Sequence, residues 1–332
     1  MKKIIAISVI SILLFSCGEN AEFYKIEGET QGTTYHIMYK GLHKNLKKEV
    51  DSILYDFDMS LSTYEPNSII SQINQGKHVE LDKHFKDMYY KAKEVTEKSD
   101  GAFDITVGPL INAYGFGYGE AETKIDSSLI DSLLQYVGME KINIEMNYLV
   151  KEDPNIKISG NAIAQGQSVD IVADFFEDKG INNYMIEIGG ELKVKGLKYG
   201  QKWRVGIDKP IEGNNIAGEE LQTILAITDK AVATSGNYRR FYIKDGKKYS
   251  HSINPKTGYP AYQNILSATI LADDCITADA YATACMVSGL DKSIEMIEND
   301  PTMEAYFVYS DEDTGEMQVY YTKAVEKLIV KK

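Results

Sequence analysis

Three cysteines in 332 residues leave little material for a disulfide framework. Cys17 stands alone near the N-terminus, while Cys275 and Cys285 fall in or beside one helix-like stretch. Ten residues of helix rise about 15 Å, more than a disulfide spans, so two buried thiols are expected. No Cys/His spacing suits zinc. A Gly-x-Gly-x-x-Gly at a strand-to-helix junction is missing, as is any Walker-type phosphate loop, and "GFGYG" at Gly115–Gly119 has the wrong spacing. Positive charge is in deficit: 36 Lys and Arg face 49 Asp and Glu, a net charge of −13. Nucleic-acid phosphates demand basic surface, so that class of partner is excluded. With no Pro/Ser-rich linker, low-complexity tract or internal repeat, the chain reads as a single compact unit with room for two lobes.

Long apolar runs are also scarce. The one at the N-terminus, Ile4–Phe15, follows Lys2 and Lys3 and precedes Ser16 and Cys17. Such a run is too short to span a bilayer and has the form of a secretory signal. The string "LLFSCGEN" resembles a bacterial lipobox, which implies cleavage after residue 16 and a lipid on Cys17; plain secretion is the alternative. Removing residues 1–16 takes away two lysines and no acid, moving the net charge from −13 to −15. The expected organisation is a signal peptide over 1–16, a tether over 17–30 and one domain over 31–332, lipid-anchored to the cell membrane and facing the periplasm.

Apolar residues recur at helical spacing over Val50–Leu61, Phe85–Ser99, Leu129–Val137, Ser168–Lys179 and Ile276–Ser288. Strand-like runs punctuate them, among them "TTYHIMY", "YMIEIGG", "WRVGI", "AITDKAVATSG", "SATILA" and "AYFVYS". Helices flanking a mixed sheet give an α+β fold.

Within the last of those helices, "DAYATACMVSG" raises a question of chemistry, because Asp279 and Thr283 are one turn apart and share a face. Two hard oxygens so placed could hold Mg2+. Equally, Asp is favoured near helix starts and Thr bonds back to the preceding turn. Other polar, glycine-bearing segments stand beside apolar elements: "GTTYHIMY" at 32–39, "LSTYEPNSIISQIN" at 61–74, "SDGAFDITVGPL" at 99–110, "ISGNAIAQGQSVD" at 158–170, "IEIGGEL" at 186–192, "VATSGNYRR" at 232–240 and "YSHSINPKTGYPA" at 249–261.

In this order and combination, over roughly Gln31 to Leu290, these segments resemble the ApbE family of FAD:protein FMN transferases. The resemblance implies an enzyme that takes FAD as substrate and Mg2+ as cofactor. It transfers FMN through a phosphoester to a Thr or Ser of another protein, typically a redox subunit of Nqr or Rnf type, and releases AMP. His251, the one histidine in a Pro/Gly-framed loop, takes the place of the proposed general base. Asp279, Thr283 and the backbone carbonyl of Ala162 take the metal positions. Ala282 stands where some members carry a second Asp, so one ligand is missing.

The same resemblance assigns FAD contacts to Gln31, Tyr64, Ala102, Phe103, Asp104, Ser159, Gln165 and Ile253. A tyrosine face at 64 could stack on a ring of FAD. Asp104 could accept from a ring edge or merely cap the segment after it. Ser159 and Gln165 depart from the residues common in the family, and glycines 189, 190 and 236 are expected to turn sharply or admit backbone to the ligand. Two alternatives share the motif set: a Mg-dependent FAD pyrophosphatase giving FMN and AMP, and a non-catalytic FAD-binding lipoprotein.

Overall fold

Alternation along the strands writes two faces into one sheet. Tyr35, Ile37 and Tyr39 are at most 2% exposed and face helices, whereas His36 and Met38 between them point to the opposite side. The computed structural model describes residues 22–41, 45–117, 122, 124–211, 213–214, 216, 218–237, 241–244, 247–250 and 252–331, with backbone only for 241–244 and 247–250. Cys17 and His251 lie outside the described residues.

Among the described residues eight strands form one antiparallel sheet: Glu22–Thr30, Thr33–Gly41, Tyr184–Ile188, Glu191–Lys195, Lys230–Gly236, Ile265–Ala272, Glu304–Ser310 and Met317–Tyr321. They stand in the sheet in the same order as in the chain. Two of the connections are two-residue turns with both φ angles positive, Gln31–Gly32 (52° and 69°) and Gly189–Gly190 (64° and 110°). Such turns match the twist of a hairpin; Gly-Gly favours the conformation, whereas Gln31 holds a left-handed φ that few side chains adopt.

The first of these strands corrects an expectation. Residues 17–30 read as a tether, yet Glu22–Thr30 pairs along its whole length with Thr33–Gly41 as the edge of the sheet. Only Ile26 of that strand is buried, so its pattern carries almost no apolar signal. Likewise "AITDKAVATSG" is not one strand: it turns at Thr228–Asp229, where Asp229 has φ 53°, and its halves belong to different sheets.

Helices cover one face. Lys47–Leu61 and Ala164–Asp178 set Val50, Leu54, Val169, Val172 and Phe176 against Tyr35, Ile37, Tyr39 and Ile186. Cys275–Ser288 packs on Lys230–Gly236 and Ile265–Ala272 and against Ala164–Asp178. It is buried nearly all round, as an apolar helix without a polar face must be. Asp274 caps its start by accepting the Thr277 N–H at 2.9 Å, and Gly289 at φ 81° ends it. Cys275 and Cys285 are both buried and free.

The other face is covered by the hairpin Trp203–Asp208 and Leu221–Ile227, whose Trp203, Val205, Ile207, Leu225 and Ile227 pack on Leu192, Val194, Val232 and Leu271 of the sheet. No helix among the described residues is long and apolar enough to cross a membrane.

Candidate active site

The strand ends near Gly189–Gly190 and Gly236 leave a hollow that the helices border on one side and the hairpin on the other. It is a cavity of about 910 Å³. Asp279, Thr283 and Ala162 line it, as do Ala102, Phe103 and Asp104. Ser159, Gln165, Ile253 and the three glycines line it too. Segments up to 181 positions apart in sequence therefore meet at one cavity.

Asp279 reaches this cavity from the helix Cys275–Ser288 and is 8% exposed. Its Oδ2 accepts the Gly166 N–H at 3.0 Å. That donor belongs to the first turn of Ala164–Asp178, where a further helical turn would have paired it with the Ala162 carbonyl. Among the described residues nothing donates to that carbonyl, which stays out of the helix ladder. Burial pushes the Asp279 carboxyl up to about 7, against the pull of the Gly166 N–H. A buried carboxylate, a hydroxyl one turn away and an uncommitted carbonyl are hard oxygen donors, the set Mg2+ takes while keeping several waters. The residues present fit that ion, although no cluster of three or more His, Cys, Asp or Glu able to hold a metal occurs among the described residues.

The close approach that makes this possible depends on Gly166. A Cβ there would stand 2.3 Å from the Cys275 carbonyl oxygen and 2.7 Å from the Asp279 Cβ. Asp170, four residues further along the same helix, returns the contact: its Oδ2 accepts the Cys275 and Ile276 N–H groups at 2.8 and 2.9 Å. Lys193 holds the other oxygen at 2.9 Å.

Asp104 lines the cavity, and its carboxylate also anchors the fold. Oδ1 accepts the Thr106 N–H at 2.7 Å and the Thr106 hydroxyl at 2.6 Å, and Oδ2 accepts the Met139 N–H at 3.0 Å. Both oxygens bind the fold, and they fix the run Ala102–Asp104 where it meets the cavity. Asp100 and Gly101, at φ 50° and 72°, turn the chain into that run after the helix Lys83–Lys98.

Two expected contacts stand apart from the cavity lining. Tyr64 is 64% exposed and does not border it. Gln31 sits in the hairpin turn, its carboxamide buried beside Asp58, while Thr33 and Thr34 just beyond it do line the cavity. The opposite case is Ser252, which motif reading passed over. It is 4% exposed, lines the cavity, and its hydroxyl has no partner among the described residues. Its place between His251 and Ile253 in "SHSIN" was the available signal. Asn254 stiffens the loop that follows, accepting the Lys256 and Thr257 N–H groups on its side chain and the Gly258 N–H on its backbone.

The ApbE family model matches residues 31–307. The chain belongs to the ApbE family. Among relatives, an FAD:protein FMN transferase of Vibrio cholerae serotype O1 is 37% identical over 300 residues, 86% of this chain and 88% of the relative. One from Haemophilus influenzae is 33% identical over 319 residues, 90% and 91% of the two chains. Of solved structures, the flavin transferase ApbE from Vibrio cholerae superposes with a TM-score of 0.82 at 32% identity, covering 93% of this chain and 99% of its own. The Pseudomonas stutzeri flavinyl transferase ApbE, apo form, gives 0.82 at 30% identity, covering 93% and 97%. Family membership accounts for the α+β sheet with its flanking helices and for the order of motifs around the cavity.

Proposed function

We propose that this ApbE-family protein is an FAD:protein FMN transferase that uses Mg2+. The observation that carries the reading is the convergence of Asp279, Thr283 and the free Ala162 carbonyl on a cavity that the Ala102–Asp104 run and the Ser252–Ile253 segment also line. The acceptor's Ser or Thr oxygen attacks the phosphorus of the FMN half of FAD. The bond from that phosphorus to the bridging oxygen breaks, a phosphoester forms, and AMP leaves with the bridging oxygen. His251 takes the hydroxyl proton, since a neutral hydroxyl is a weak nucleophile. Asp279, Thr283 and Ala162 would hold Mg2+, which neutralises charge on the pyrophosphate when bound. Ser252 offers its unpartnered hydroxyl to the substrate, and Gly189 leaves room for Gln165, whose Nε2 lies 2.4 Å from where a Cβ would stand.

The lipobox-like "LLFSC" supports a lipid anchor on Cys17 and a periplasmic site of action, and the family resemblance supports redox subunits of Nqr or Rnf type as acceptors. Incubating the protein with FAD, Mg2+ and such a subunit tests transfer, read as fluorescent flavin that survives a denaturing gel. Flavin that is always lost on denaturation, with FMN and AMP released, would leave a pyrophosphatase instead. For the anchor, Cys17→Ser should shift the protein out of the membrane fraction, and an unchanged fraction would refute lipidation.

A further inference from the structure

The strand Glu22–Thr30 begins five positions after Cys17. At no more than about 3.5 Å per residue, the chain between them reaches at most about 18 Å. The lipid anchor proposed above therefore brings one particular end of the sheet to the bilayer. At that end Glu22, Phe23 and Lys40 share a hollow of about 660 Å³ with Leu197, Tyr199 and Gly200, which belong to the connection between Glu191–Lys195 and Trp203–Asp208.

Three features of this surface fit a bilayer interface. The first is an aromatic tip. Lys198 and Gln201 close a tight turn, each N–H donating to the other's carbonyl at 2.8 and 3.0 Å, with Tyr199 and Gly200 between them at φ 50° and 80°. Such turns favour Asn, Asp or Gly; a bulky ring in the left-handed region is uncommon, and backbone strain of this kind collects at functional positions. Tyr199 nevertheless stands 73% exposed, its ring tilted against Phe23 with centroids 4.5 Å apart, and Leu197 beside it is 41% exposed. A ring with a polar tip is what the headgroup layer accommodates. The second feature is charge. In a chain of net charge −13, this end carries Lys40, Lys198 and Lys202 against Glu22 and Asp229, and the Asp229 carboxylate already accepts the Gly196 N–H at 3.1 Å. Lys40 and Lys202 are exposed and in no ion pair among the described residues. Lysines so placed are drawn to anionic lipid. The third feature is direction. Glu191–Lys195 runs from the cavity wall at Gly190 towards Leu197, and the nine residues of Glu22–Thr30 span about 27 Å between the same two ends. The patch and the cavity occupy opposite ends of the sheet.

From these we infer that the turn 197–202, with Phe23 and Lys40, is a membrane-docking face. Tyr199 and Leu197 enter the headgroup layer, Lys40 and Lys202 pair with anionic lipid, and the cavity is held about 27 Å from the bilayer. The inference rests on the proposed lipid anchor, not on the flavin chemistry, and goes beyond it. An anchor alone fixes one point and lets the domain turn about it, whereas anchor and docking face together fix its orientation.

The test places the full chain, purified from membranes with its lipid, in vesicles of phosphatidylethanolamine and anionic phosphatidylglycerol whose acyl chains are brominated, since bromine quenches tryptophan on contact. The single native tryptophan, Trp203, is 1% exposed and sets the baseline. Tyr199→Trp should lose most of its added emission. Ile216→Trp, at a residue 65% exposed in the loop at the cavity end of the same hairpin, should keep its own. Adding Lys202→Glu to Tyr199→Trp, or leaving out the anionic lipid, should each reduce the quenching. A chain that floats with the vesicles while Tyr199→Trp stays unquenched, or while both probes are quenched alike, would overturn the inference and leave the anchor standing. So would quenching indifferent to Lys202→Glu and to anionic lipid, or a dimer in sedimentation that covers Tyr199 in place of lipid. A chain that does not float and carries no lipid mass on Cys17 would instead count against the anchor and remove the inference with it.

Discussion

Asp279 and Gly166 are 113 positions apart in sequence, yet the Asp279 carboxylate accepts the Gly166 N–H at 3.0 Å. Asp170 does the reverse, accepting two N–H groups from the start of the helix that carries Asp279. Each helix thus lends a carboxylate to the other's exposed N-terminal donors, which would otherwise be buried without partners. The pair of contacts fixes the rotation of both helices, and hence the direction in which Asp279 and Thr283 face.

Gly166→Ala should disturb that junction. The added Cβ meets backbone at 2.3 Å, so the helices must separate. Overpacking of this kind costs about 1–3 kcal/mol. Urea unfolding should show the loss, and Mg2+-dependent activity should fall further than the stability change accounts for. Wild-type stability and activity in the variant would mean that the contact does not position the site.

Cation binding should depend on pH through Asp279. Its carboxyl is pushed up to about 7, and a proton there competes with the metal. Apparent Mg2+ affinity in the FAD complex, followed by calorimetry, should fall about tenfold per pH unit below 7 and level off above it. EDTA should abolish transfer and Mg2+ restore it. An affinity flat from pH 5.5 to 8 would remove Asp279 from the ligand set.

His251→Ala should lower the transfer rate by roughly 100-fold or more, the usual size of a lost general base, with FAD affinity nearly unchanged. A base acts mainly in the transition state, so its loss lowers turnover without weakening the ground-state complex. Single-turnover transfer alongside FAD titration measures both quantities. If affinity collapses while turnover at saturation survives, His251 is a binding residue.

Asp58 gives a pH signature in stability. Burial beside the hairpin turn pushes its carboxyl up to about 6, with Gln31 pulling it back. The folded state therefore holds this proton more tightly than the unfolded chain does, whose carboxyl titrates near 3.9. Asp58's contribution is present below about pH 4 and is lost as pH rises from about 4 to about 6. Asp58→Asn keeps the neutral form throughout, so relative to wild type it should gain stability across that window. A difference independent of pH would contradict the shift.

What the sequence determined by itself was whatever depends on near neighbours. Helical spacing marked Ser168–Lys179 and Ile276–Ser288 to within a few residues of the helices Ala164–Asp178 and Cys275–Ser288. One-turn spacing put Asp279 and Thr283 on the same wall of the cavity, and Gly189–Gly190 formed a sharp turn, because residues a few bonds apart have little choice of geometry. The order of short motifs identified the family. Tertiary structure alone decided the rest. Glu22–Thr30 became a strand through pairing with its neighbour, since a backbone ladder needs no buried side-chain pattern. Asp104 spent its carboxylate on Thr106 and on Met139, 35 positions away, and Tyr64 stayed exposed outside the cavity. Where a polar side chain finds its partner depends on which distant segment folding brings beside it, and no local spacing encodes that.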